Sequence, residues 1–149
     1  MPGILIIAHA PLASALKAVA EHAYPDCSCH VEALDVAPDI QAEELEVQAR
    51  TLLKRVLNPE ALVFVDVFGA TPCNVAQRLA DSPRVRVIAG VNVPMLWRCL
   101  CYANESLDAM AARAATGATQ GVMQVANSRP QNQTLKPGAN DQDHSHHQQ

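Results

Sequence analysis

Two groups in this sequence stand where they could do chemistry together: an imidazole at the end of one apolar run and a carboxylate at the end of another. His9 follows Gly3-Ile-Leu-Ile-Ile-Ala8, and Asp66 follows Ala61-Leu-Val-Phe-Val65. A carboxylate beside an imidazole accepts the proton of one ring nitrogen, fixes the tautomer and leaves the other nitrogen with a free lone pair. That second nitrogen is a nucleophile. Pro11 and Pro72 are expected at the first positions of two helices whose unpaired N–H groups favour anions. Thr71 is expected to cap the second and to add a hydroxyl there. Ala10 offers the first helix no cap, so an incoming phosphoryl group would be its partner. The set suits a histidine that accepts a phosphoryl group, holds it with N–H donors and passes it on. That chemistry needs neither cofactor nor metal. The sequence has no G-x-x-x-x-G-K-[ST] loop, so a nucleotide donor bound in this chain is not expected.

Competing uses of these residues follow from the same rules. Cys73 lies in the first turn of a helix, where a thiol is acidified. A cysteine phosphatase cradle would place its arginine six positions on, whereas Arg78 is five positions on, so Cys73 is read as packing. His22 and His30 fall at a helix end and a strand start. Residues 32–46 carry acids and no Lys or Arg, which makes a solvated face or a receiver of a basic partner. Without a covalent step, the cleft at His9 would serve a regulatory module that only holds an anion.

The elements that must position His9 and Asp66 alternate between short apolar runs and longer segments of helical spacing, the pattern of parallel strands joined by crossover helices. Residues 3–8 and 61–66 read as buried central strands. Residues 30–36 alternate, as an edge strand does, and 84–89 make a fourth strand. Leu12, Leu16, Val19 and Ala23 share one face of a first helix. An acidic first turn with Asp39, Glu43 and Glu44 opens a second helix that runs to about 57. Helices are expected from Pro72 to about 80, from the Gly90-Val-Asn-Val-Pro94 turn through 100, and from 107 to 115. Residues 121–126 have the β-branched content of a last strand. In open α/β sheets ligands bind beyond the carboxyl ends of strands at the switch point. With strand order 2-1-3-4, that point lies between His9 and Asp66.

Composition sets the outer bounds. A chain of 149 residues fits one domain, and 49% apolar with 3% aromatic residues gives an aliphatic core with few ring platforms for flavins or unstacked bases. A net charge of −4 speaks against nucleic acid. No apolar run is long enough to cross a bilayer, and the charge-free stretch 1–16 lacks the basic start of a signal peptide. Five cysteines, four of them in two C-x-C pairs, fit neither a disulfide framework nor a zinc knuckle, and a reducing, cytoplasmic setting is expected. Residues 127–149 are polar and are expected to be a disordered tail after a domain of 1–126. The tail histidines His144, His146 and His147 are assigned no specific metal.

Three segments carry a family resemblance: His9 followed by Leu12-Ala13, Asp66-Val-Phe-Gly-Ala-Thr-Pro-Cys-Asn74, and Gly90-Val-Asn-Val-Pro-Met-Leu96. With the order of elements, residues 1–126 resemble the mannose-type enzyme IIA of the phosphoenolpyruvate-dependent sugar phosphotransferase system. The Thr-Pro-Cys-Asn segment is closer to this type than to the related dihydroxyacetone-kinase phosphotransfer subunit. The resemblance implies a flavodoxin-like three-layer fold, with a sheet of order 2-1-3-4 and a last antiparallel strand exchanged in a homodimer. It further implies that His9 is phosphorylated on Nε2 by the phosphocarrier HPr, with Asp66 on Nδ1 and Thr71 beside the phosphoryl group. The phosphate would pass to an enzyme IIB component or a regulator, with at most a peripheral tie to a membrane permease. Where the family often has glycine, this chain has Ala10 and Ala70; the residues stay small but the backbone is less free.

Overall fold

Unbroken aliphatic runs make central strands because both of their faces are covered. A computed structural model describes residues 1–126, and here β1 (Gly3–His9) is buried along its whole length except for His9. β3 (Ala61–Val65) is buried throughout. β2 (Val31–Val36) alternates between buried and half-buried residues, and β4 (Val85–Ala89) is mostly half-buried, as edges are. The four strands form one parallel sheet in the order β2-β1-β3-β4, the order expected above. In the register His9 lies opposite Val36 and Ile7 opposite Val65. The residue after β3 therefore arrives beside the end of β1.

Five helices complete the three layers: α1 (Leu12–Ala23), α2 (Ala42–Val56), α3 (Thr71–Leu79), α4 (Val93–Cys101) and α5 (Leu107–Gln120). A short 3-10 turn at Ser28–His30 precedes β2. Alternate residues of β1 feed opposite cores. Ile4 and Ile6 pack with Phe64, Leu16, Met95, Leu96 and Met110 under α1, α4 and α5. Leu5 and Ile7 pack with Leu45, Ala49, Val75 and Leu79 under α2 and α3. The chain thus leaves β1 toward one face and β3 toward the other, which opens a crevice between their carboxyl ends.

Three expectations are corrected. The last helix runs five residues past 115, to Gln120. Thr116, Gly117 and Thr119 look like a helix end in isolation, but α5 lies so close to α4 that a Cβ at Gly117 would stand 2.8 Å from the Arg98 Cβ. Packing outweighs local propensity there. Residues 121–126 take no strand conformation in the described chain; the resemblance pairs them with a second copy's sheet, so a lone chain gives them no ladder. Thr71 is the first residue of α3 and not its cap. The expected tail at 127–149 lies outside the described residues.

Candidate functional site

β1 and β3 deliver their terminal side chains to one spot, as the register requires. His9 Nδ1 lies 2.6 Å from Asp66 Oδ2, and the His9 amide donates to the same oxygen at 3.0 Å. The Val67 amide donates to Asp66 Oδ1 at 2.9 Å. Burial pushes the pKa of this carboxyl up, but the His9 amide, the His9 ring and the Val67 amide outweigh it and hold Asp66 below the usual carboxylate range. An ionised carboxylate can only accept hydrogen bonds, so at 2.6 Å Nδ1 carries the proton. In neutral His9 the lone pair is then on Nε2. The histidine side chain is 53% exposed and that of Asp66 only 13%. The anchor is sheltered while the ring faces outward.

The two helix starts beside the pair differ from expectation and from each other. Pro11 is the cap residue of α1 rather than its first residue, since Ala15 N–H donates to Pro11 C=O at 3.1 Å. The N-terminus of α1 is also not without a side-chain partner. Asp35, near the end of β2, accepts from the Ser14 amide at 3.0 Å and from the Ser14 hydroxyl at 2.5 Å. On the adjacent residue, Val36 C=O accepts the Ala10 amide at 3.1 Å. β2 therefore holds both ends of the turn that follows His9. A carboxylate already complements the positive end of α1, which lessens its capacity for a second anion.

The start of α3 is different. Gly69 turns the chain at φ +88, a conformation glycine adopts without penalty. Ala70 follows in an extended conformation as the cap residue, and its side chain makes no cap bond. Asn74 N–H donates to Ala70 C=O at 3.0 Å as the first helical bond. The sequence expectation was one residue late because the cap is set by backbone conformation rather than by side-chain type. Thr71 is exposed, and among the described residues no hydrogen bond joins it to His9 or Asp66. Pro72 is the second helical residue and has no N–H to offer. The amides of Thr71 and Cys73 lie in the unsatisfied first turn.

Cys73 is 2% exposed and packs in the α2–α3 core, so its sulfur does not face the crevice. His22 lies in the last turn of α1 and His30 ends the 3-10 turn. Among the described residues no three His, Cys, Asp or Glu side chains are grouped to hold a metal ion, and no helix is long and apolar enough to cross a membrane. Sequence reasoning missed the part played by Asp35. Its signal was a carboxylate near the end of the strand next to β1, level with Ala8.

The sequence of residues 3–116 matches the family model EIIA-man, described as PTS system fructose IIA component. The mannose-specific EIIAB component of Escherichia coli K12 is 33% identical over 93 residues, which is 60% of this chain and 29% of that protein. The chain thus spans less than a third of the curated relatives it matches. In fold it is similar to the mannose/sorbose-specific IIA subunit of the phosphotransferase system from Enterococcus faecalis, with a TM-score of 0.77 at 22% identity over 87% of this chain and 98% of that one. The phosphotransferase system component EIIA from Streptococcus agalactiae gives a TM-score of 0.72 at 22% identity, over 83% and 97%.

Proposed function

The chain belongs to the EIIA-man family, the mannose-type IIA components of the phosphotransferase system, and on that premise we propose that His9 is a transient phosphoryl carrier. The observation that carries this reading is the 2.6 Å contact between His9 Nδ1 and an ionised, sheltered Asp66. It leaves the exposed Nε2 as the only ring atom with a lone pair. In the forward step that lone pair attacks phosphorus on phospho-HPr. A P–N bond forms at Nε2 as the bond from phosphorus to the donor breaks, and the donor keeps that electron pair. The proton stays on Nδ1, and the Asp66 carboxylate offsets the positive charge that grows on the ring. The uncapped first turn of α3, with the Thr71 hydroxyl, faces the phosphoryl oxygens. Transfer to an enzyme IIB component or a regulator reverses the same steps at a new acceptor.

Residues 1–126 act in this reading as the phosphotransfer domain, in a cytoplasmic homodimer. Val122 and Met123 support the dimer: they are 76% and 68% exposed, and Val122 lines a groove with Ile88, Ala89 and Gly90 at the β4 edge of the sheet. Such apolar exposure favours a covered state.

The test is incubation with phosphoenolpyruvate, enzyme I and HPr, with the isotope in the phosphoryl group. A label that is acid-labile, base-stable and lost in His9→Ala supports the reading. No label on the wild-type chain would leave a non-covalent anion-binding module as the better account.

A further inference from the structure

The two C-x-C pairs of the sequence take no part in phosphoryl transfer, and the fold brings one residue of each to Tyr24. In the second pair Cys99 is fully buried, and its S–H donates to the Met110 C=O at 3.8 Å. Cys101, the last residue of α4, is exposed, and its sulfur lies 2.8 Å from the Tyr24 hydroxyl. In the first pair Cys29 is exposed, and its S–H donates within its own turn to the Asp26 C=O at 3.9 Å. Cys27 is half-buried. Its amide donates to the Tyr24 C=O at 3.0 Å, and it packs with Tyr24 against the core beneath α1 and α4.

Parallel strands and their crossover helices run in opposite directions. The end of α1, the turn before β2 and the end of α4 therefore share the amino edge of the sheet, across the molecule from His9. There the Tyr24 ring meets Trp97 edge-on, with ring centroids 6.5 Å apart. Trp97 and Cys101 are one turn apart on α4 and line a hollow of about 250 Å³ together with Arg98. Arg98 has no ion-pair partner among the described residues. An open sulfur beside a free guanidinium has the surroundings of a reactive thiol. The hydrogen bond to Cys101, burial, and the thiolate charges of Cys101 and Cys27 raise Tyr24 above the ordinary tyrosine range. The phenol keeps its proton while a thiol ionises, so it donates to the Cys101 sulfur.

We propose that Cys101 and Cys27, gathered around Tyr24, are an oxidant-sensitive thiol pair that closes to a reversible disulfide when a peroxide enters the hollow. The Cys101 thiolate attacks one peroxide oxygen. An S–O bond forms, the O–O bond breaks, and the departing hydroxide leaves as water with the proton that Cys101 gave up. The Cys27 sulfur then attacks the sulfenic sulfur of Cys101. The S–S bond forms as the S–O bond breaks, and a second water leaves with the Cys27 proton. Two thiols lose two electrons and two protons, and hydrogen peroxide becomes two molecules of water. A dithiol reductant restores the pair by exchange. The closed link ties the turn before β2 to the end of α4, and it requires nothing of the phosphoryl-carrier reading. In a reducing setting such a link is a sensor rather than a structural staple.

The experiment treats the reduced full chain with hydrogen peroxide at pH 7 and maps the thiols by proteolysis and mass spectrometry. One intramolecular link between the Cys27 and Cys101 peptides is expected, reversed by dithiothreitol. Trp97 is the chain's one tryptophan, so its fluorescence should be quenched as the link closes. Cys101→Ser should abolish link and quenching, and Cys29→Ser should leave both. Cys27→Ser should stop at a sulfenic acid that dimedone traps on Cys101. Tyr24→Phe keeps the ring against Trp97 but loses a hydrogen bond to the ionised sulfur, and should slow closure about tenfold. A link from Cys101 to Cys29, a link between two chains, or dimedone on Cys29 ahead of Cys101 would overturn the pairing. So would a wild-type chain, folded by circular dichroism, that forms no link with peroxide.

Discussion

Replacing Asp66 by Asn removes one charge and exchanges one oxygen for an amide nitrogen while keeping the side chain's volume. The wild-type carboxylate takes three hydrogen bonds, from the His9 amide, the His9 ring and the Val67 amide. An asparagine oxygen can still serve one side of that set. If it stays on the Val67 amide, the NH2 takes the place of Oδ2 and faces the His9 amide and Nδ1, which must then accept, and the ring proton moves to Nε2. The nucleophilic lone pair is lost in that tautomer. In the other orientation the tautomer survives, but a charge-assisted bond of about 1.5–3 kcal/mol to the developing imidazolium becomes a neutral bond of about 1 kcal/mol. The loss from charge alone is therefore about 0.5–2 kcal/mol, roughly 2- to 30-fold in rate. Where the wrong tautomer dominates, the cost approaches the roughly 10⁴-fold seen when a histidine-orienting aspartate becomes asparagine in a serine protease. We expect transfer from phospho-HPr to slow by between about twofold and ten-thousandfold in rapid-quench labelling. Asp66→Ala should also be slow, with its far-UV circular dichroism unchanged. Nitrogen-15 shifts of His9 give the second readout: the proton on Nδ1 in wild type and shifted toward Nε2 in Asp66→Asn. Wild-type labelling rates in both variants would remove Asp66 from its role.

Asp35→Ala deletes both bonds to Ser14 at the start of α1, and loss of such a cap costs about 1–2 kcal/mol; urea unfolding should show that decrease, and an unchanged midpoint would mean that water replaces the carboxylate at no cost. The Asp66 carboxyl titrates lower when folded than when unfolded, so its contribution is complete above the unfolded value of about 3.9 and disappears as pH falls through the lower folded value. Carbon-13 titration of Asp66 should give a midpoint below that value, and one above it would contradict the hydrogen-bond pattern. Burial pushes the Cys99 thiol up to about 12, so at pH 8 a thiol reagent should modify exposed Cys29 and Cys101 and spare Cys99 until the chain unfolds; fast native labelling of Cys99 would show that α4 opens locally. Phe64→Ala empties the centre of β3, where the ring is fully buried, and should lower stability by about 3–5 kcal/mol in the same urea assay.

What the sequence determined was local. Ile4 to Ile7 and Leu62 to Val65 are continuous apolar runs because central strands touch helices on both faces, and this pattern is legible without a partner in view. The same runs mark His9 and Asp66 as the first polar groups beyond the buried sheet, so both members of the site were visible as candidates. What only the tertiary structure decided depended on residues far apart in the chain. The 2.6 Å contact follows from the register of β1 on β3. The capping of Ser14 by Asp35 needs β2 and α1 side by side, 21 positions apart in sequence. The length of α5 depends on Arg98 and Pro94 of α4 lying against Gly117. Thr71 and Pro11 were each misplaced by one position, because a helix begins where backbone dihedrals and the first hydrogen bond place it, and residue preferences shift that point only weakly. Periodicity reports which face of an element is buried; only assembled elements decide which partner a polar group meets there.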